Sequence, residues 1–217
     1  MVLPFLVHLM NSKTRRPARP PHWREELPGL EGTLVSLREL NHGDAESLCK
    51  MLSSDEVARF ISPPPTSIEC FRRFITWTQQ ERAEGRYVCF GIVPHGTEHA
   101  VGLFQMRRLE PSFRTAEWGF ILAAPFWSNG MFVESANLVA TFAFRIVNVH
   151  RLEARASEQN GRGNRALEKI GAVPEAILRR SFCRNGRYHE QFLWTLIADE
   201  WLSRNAEGSL TGTSHPL

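Results

Sequence analysis

Apolar residues recur along this chain with two periods, and the switches between them mark the elements. Leu34, Val35 and Leu37 make residues 33–37 a short strand. Beyond Asn41, apolar positions at 45, 48, 51 and 52 have helical spacing. Ser54 is placed to cap a short second helix, which Pro63, Pro64 and Pro65 stop. Ser67 opens a third helix in which Ile68, Phe71, Phe74, Ile75 and Thr78 share one face, and Gly85 ends it. Alternation then predicts strands at 87–93, 100–109 and 115–122, joined by hairpin-length connections and therefore antiparallel.

Residues 132–147 are apolar almost all round, which predicts a long helix buried on most sides. A strand at 151–156 follows, then a short helix at 163–169 ended by Gly171. Two further strands, at about 175–183 and 188–197, flank the Asn185-Gly186 turn. The strand–helix–strand crossover through 132–147 makes its two strands parallel neighbours in an otherwise antiparallel sheet. The fold class is α+β, a mixed, mainly antiparallel sheet of six to seven strands with helices on both faces.

A chain of 217 residues, 42% hydrophobic and 23% charged, can bury one core, which excludes global disorder. No stretch approaches 18 uninterrupted apolar residues, which excludes a spanning helix. Residues 1–10 contain Pro4, lack a leading basic residue, and read as a tail or a mis-chosen start rather than a signal peptide. The net charge of +3 has one source: residues 1–24 carry five basic and no acidic groups, whereas the rest carries 21 basic and 23 acidic. Residues 1–28 are expected to be a disordered, basic, Pro-rich leader, able at most to tether RNA or an acidic partner weakly. The domain is expected over 29–205 and a flexible tail over 206–217. Cys49, Cys70, Cys89 and Cys183 form no C-x-x-C pair and read as buried free thiols of a cytoplasmic protein. The eight histidines have no ligand spacing, so no metal is expected.

Two stretches carry candidate chemistry. In AEWGFILAAPFWSNGMFVESA (116–136) a strand ends and a buried helix begins at Gly130. Free N–H groups of a first helical turn make an anion site, and Gly130 admits a bulky group close to the backbone. In HRLEARASEQNGRGNRALEKIGA (150–172) a strand leads through Asn160 into a short helix.

In this order and spacing the two stretches resemble the GCN5-related N-acetyltransferase (GNAT) superfamily, in the branch of the ribosomal-protein N-terminal alanine acetyltransferases. The resemblance rests on Glu117 and Gly119, on Phe126-Trp127 and Asn129-Gly130, and on Glu134. It continues through His150-Arg151-Leu152-Glu153-Ala154, Asn160 and Leu167-Glu168-Lys169-Ile170-Gly171, then from Asn185-Gly186 through Trp194 to Trp201 as the last hairpin. It covers about residues 30 to 201. It implies that the strands at 115–122 and 151–156 splay, and that the pantetheine arm of acetyl-CoA fills the gap against edge groups of Phe120, Ile121 and Leu122. Amides around Asn129, Gly130, Met131, Phe132 and Val133, beside Trp127, would hold the pyrophosphate, with Asn160 reaching from the far side. The family's loop, Arg/Gln-x-x-Gly-x-Gly/Ala, here holds Trp127, Gly130 and Phe132. Gly163 and Leu167 stand where relatives often carry a serine and a tyrosine.

The implied reaction is direct attack of a primary amine, from a peptide N-terminus or a small molecule, on the thioester. An α-amine with pKa near 8 is about a tenth neutral at pH 7, a lysine only about 0.04%, so an α-amine acceptor needs little base strength. Glu117 is the candidate base, unless Arg107 or Arg108 claims it, and Glu153 the reserve. Glu134 balances the helix dipole. Trp77 and Trp118 read as core. Specificity is expected from residues 41–84, with Pro63–65 and Ser67 at the acceptor mouth, and from the final hairpin. The alternative is a non-catalytic acyl-CoA-binding descendant. The expected assembly is a monomer or homodimer.

Overall fold

The computed structural model describes residues 22–210. The segment 1–10, most of the basic leader and residues 211–217 lie outside the described residues. One sheet of eight strands, in the order β1-β2-β3-β4-β5-β6-β8-β7, organises the domain. Its strands are β1 (Leu30–Glu31), β2 (Val35–Glu39), β3 (Tyr87–Pro94), β4 (Gly102–Arg108), β5 (Thr115–Leu122), β6 (Arg151–Ser157), β7 (Val173–Arg184) and β8 (Arg187–Ile197). Among the described strands only β5 and β6 run parallel. The expected six to seven strands become eight because the two-residue β1 pairs with β2 at the sheet edge, Leu30 opposite Leu37.

Each face of the sheet holds its own core. Even-numbered residues of β3 to β5, among them Phe90, Phe104, Met106 and Trp118, pack beneath α4 (Met131–Phe142) with Val139, Ala140 and Phe142. No residue of α4 is exposed, and its polar Glu134, Asn137 and Thr141 are half-buried along one face. It then widens into a π turn, Ala143–Val147, which Asn148 closes at φ 67°. On the opposite face Tyr87, Cys89, Leu103 and Ile121 pack beneath α1 (Asp44–Leu52) and α3 (Ile68–Ala83).

Ser54 and Ser67 cap α2 (Asp55–Ala58) and α3, accepting from the N–H of Val57 and Cys70. Asp44, wholly buried, fixes α1 to the sheet. It takes two bonds of 2.8 Å from Arg38 and one from the Ala100 N–H.

Several expectations need correction. Trp23 and Leu27, assigned to the leader, are buried in the core under α4, and Trp23 meets Phe113 edge-on. The chain beyond β8 forms α6 (Ala198–Leu210), so Trp201 sits on a helix against Phe144 rather than in the last hairpin. Trp118 is core, but Trp77 is 44% exposed and leans on Phe74 and Tyr87. Of the four free cysteines only Cys89 is buried, and Cys183 is exposed. Among the described residues no helix is long and apolar enough to cross a membrane.

Candidate active site

β5 and β6 pair over three rungs only, Thr115 with Arg151, Ala116 with Leu152 and Glu117 with Glu153. Beyond them β5 stays with β4 as far as Leu122, while β6 stays with β8 as far as Ser157. A wedge-shaped gap therefore opens in the middle of the sheet. Alternate residues of an antiparallel strand offer N–H and C=O to opposite edges. Thr115 C=O and Ala123 N–H both bond toward β4, so Phe120 and Leu122 face the gap and Ile121 does not. The Leu122 carbonyl already accepts the Trp127 indole N–H at 2.7 Å.

The gap leads to the start of α4. Ser128 and Gly130 both have positive φ, 64° and 88°, which folds the loop back on itself. A side chain at Gly130 would meet that strained φ and, 3.3 Å away, Leu34. The Asn129 side chain accepts from the Met131 N–H at 3.2 Å, and the first helical bond runs from Glu134 N–H to Gly130 C=O. The N–H groups of Phe132 and Val133 remain over, beside the positive end of the helix dipole. The Phe132 ring lines the cavity and lies on Phe120 and Phe104, with centroids 4.3 and 5.8 Å away.

Helix α5 (Gly161–Lys169) forms the far wall. Asn160 caps it, accepting from Gly163 N–H at 2.9 Å, and Asn164 ties it to Ser157 C=O and to the Trp194 indole. Arg162, Arg165 and Lys169, spaced along one helical face, line the same cavity as Phe120, Trp127 and Val133. The cavity holds about 650 Å³. Arg162 reaches across it and stacks its guanidinium 3.6 Å from the Trp127 ring centroid.

At the foot of the gap one register row crosses six strands: Tyr87, Arg107, Glu117, Glu153, Thr195 and Val173. Glu117 is bound by Arg107 through Oε2, and Glu153 by Arg151 through Oε1 at 2.8 Å. Each carboxylate keeps its other oxygen free of hydrogen bonds among the described residues. Arg151 also grips Glu175 with two bonds of 2.6 and 2.9 Å, and Thr195 adds a third at 2.7 Å. Those bonds pull the Glu175 carboxyl down to about 2. Glu134 stands in the first turn of α4, where a carboxylate balances the dipole, and it has a second task. Its carboxylate accepts from the N–H groups of Thr33, Leu34 and Val35, locking the turn before β2 against α4. Burial pushes its pKa up, but those three bonds more than offset it and the net direction is down.

Residues 35–173 match the model of the acetyltransferase (GNAT) domain. That is more than half of the chain. The protein belongs to the GNAT acetyltransferase family. Accordingly it is an acetyl-CoA-dependent N-acetyltransferase. This GNAT enzyme is similar to the Uncharacterized N-acetyltransferase YoaA of Bacillus subtilis, 27% identical over 173 residues, 78% of this chain and 97% of that one. It is also similar to the spermidine N(1)-acetyltransferase of Vibrio cholerae, 22% identical over 79% of this chain and 97% of the relative. Two solved structures share the fold. Mycobacterium smegmatis RimJ in complex with CoA-disulfide superposes with a TM-score of 0.72 at 19% identity, over 83% of this chain and 93% of that one. The ribosomal-protein-S5-alanine acetyltransferase of Vibrio fischeri gives 0.73 at 17%, over 80% and 98%.

Of the cofactor residues expected in this GNAT enzyme, Phe120, Ile121, Leu122, Trp127, Gly130, Phe132, Val133 and Asn160 line the cavity. Asn129 and Met131 stand behind it, bonded to each other. Arg59, Arg162, Arg165 and Lys169 line it without having been expected. The 162/165/169 spacing was a readable sign of the last three.

Proposed function

We propose that this enzyme acetylates a primary amine, the α-amine of a peptide N-terminus or of a small molecule, with Glu117 as base and Glu153 in reserve. The observation that carries this is the Glu117–Glu153 rung at the foot of a gap whose upper end meets free helix amides. The chain fits the cofactor chemically. Phe120 N–H and C=O and Leu122 N–H are edge groups without a ladder partner, and they suit the amides of a pantetheine arm. The Phe132 and Val133 amides, with Arg162, Arg165 and Lys169, suit its phosphates. The acetyl group supplies an electrophilic carbonyl.

In the transfer, the amine nitrogen forms the N–C bond and the C–S bond breaks, its electron pair leaving on sulfur. The free oxygen of Glu117 takes the amine proton, directly or through one water. Where relatives often carry a hydroxyl this chain has Gly163, which lines the cavity, and Leu167, which is buried in the core, so solvent protonates a thiolate whose pKa near 8.5 demands little. Positioning supplies the rest of the rate. We place the enzyme in the cytoplasm, a reading supported by its free thiols. Release of free thiol from acetyl-CoA, measured against a panel of peptides and amines, tests the reading. No release with any amine, despite cofactor binding, would overturn it.

A further inference from the structure

A second cavity, of about 620 Å³, lies between α2 and the β7–β8 hairpin. It adjoins the cofactor cavity, because Arg59, Phe60 and Gln159 line both. Its charge is lopsided: Arg59, Arg184 and Arg187 face one carboxylate, Asp55. Arg38, Arg82, Arg86, Arg107 and Arg151 each hold a carboxylate elsewhere in the molecule. Among the described residues the three cavity arginines hold none. Arg59 rests over the Phe60 ring, and Arg184 donates only to the Ile61 carbonyl, at 3.3 Å. Uncompensated guanidinium groups converging on a concavity attract anions and repel cations.

We propose that the acceptor is an acidic amine, a molecule whose amine reaches the thioester while its carboxylates sit among Arg59, Arg184 and Arg187. This rests on the amine-acetylating reading above and names the class of amine. A polyamine would carry its second ammonium into three guanidinium groups, which selects against it by repulsion. The same chemistry has two sources, an N-terminal peptide rich in Asp and Glu or a small amino acid.

The test uses the full chain with acetyl-CoA and four acceptors: an acidic hexapeptide, its lysine-bearing counterpart, free glutamate and spermidine. The acidic peptide or glutamate should exceed the lysine peptide and spermidine in kcat/KM by about tenfold or more, and the margin should shrink in high salt. Turnover of the acidic peptide alone assigns a peptide acceptor, and turnover of glutamate alone a small one. Arg187→Glu, at an exposed position on the hairpin, should raise KM for the acidic acceptor about tenfold and leave KM for acetyl-CoA unchanged. Preference for the lysine peptide or spermidine overturns the proposal, and so does an Arg187→Glu effect on acetyl-CoA alone. Calorimetry on the CoA-loaded enzyme separates the two failures. Acidic peptide that binds without turnover overturns only the catalytic reading. Cofactor that binds while neither acidic acceptor binds or turns over overturns the acidic-amine proposal.

Discussion

Glu117 and Glu153 stand opposite each other on the last rung before β5 and β6 part, and each is held by a different arginine. Two carboxylates side by side would repel, and Arg107 and Arg151 offset that repulsion while leaving one oxygen of each free. Glu117→Gln should keep the shape and the arginine contact but lose the proton acceptor. Its kcat should fall about a hundredfold and the acidic limb of its pH–rate profile should flatten. Glu153→Gln should cost less than about tenfold. An unchanged profile in Glu117→Gln moves the base elsewhere.

Arg162 supplies from α5 the cation that the loop lacks at Trp127. Arg162→Ala should weaken acetyl-CoA binding about tenfold by calorimetry, since a charge-assisted bond contributes about 1.5–3 kcal/mol. Trp127→Phe keeps the stacked ring and frees the Leu122 carbonyl, so it should weaken binding less than Trp127→Ala. Equal losses would mean that the indole N–H, not the ring, matters.

Gly163→Ser tests why the hydroxyl common among relatives is missing. A Cβ there would come within 2.4 Å of the Asn160 side-chain amide, which caps α5. The variant should lose the cap, about 1 kcal/mol of stability by urea titration, without gaining rate. A faster enzyme would show that the cap can be given up.

Acid should reveal the Glu175 cluster. Its carboxyl is held at about 2, against an ordinary 4.5, by Arg151 first and Thr195 next. A depressed folded-state pKa stabilises above the unfolded value, and that gain fades as pH drops from about 4.5 toward 2. Glu175→Gln should therefore lower Tm at neutral pH and flatten the Tm-against-pH curve in that window. Parallel curves for the two proteins would assign the acid sensitivity to other groups.

Strong local periodicity made much of this molecule legible. β3 is apolar almost throughout, α4 is apolar at most of its positions, and Ser54 and Ser67 announce their helices. α6 was missed because its first turns offer little beyond Trp201 and Leu202 as an apolar face. Trp23 and Leu27 were missed because each is an isolated apolar residue among Arg, Pro and Glu. At the site, a resemblance located the gap, but only distance in space shows that Arg162 lies on Trp127, 35 positions earlier. The same holds for Glu134, whose partners Thr33 to Val35 lie a hundred residues away. No window-based pattern carries such pairs.

The wedge between β5 and β6 leaves the two sides of the sheet meeting over three rungs, while one hydrophobic core under α4 runs beneath both. α2 rides on one side and the β7–β8 hairpin on the other, so both cavities have a wall on each. A molecule seated in either cavity therefore touches residues from both sides of the wedge.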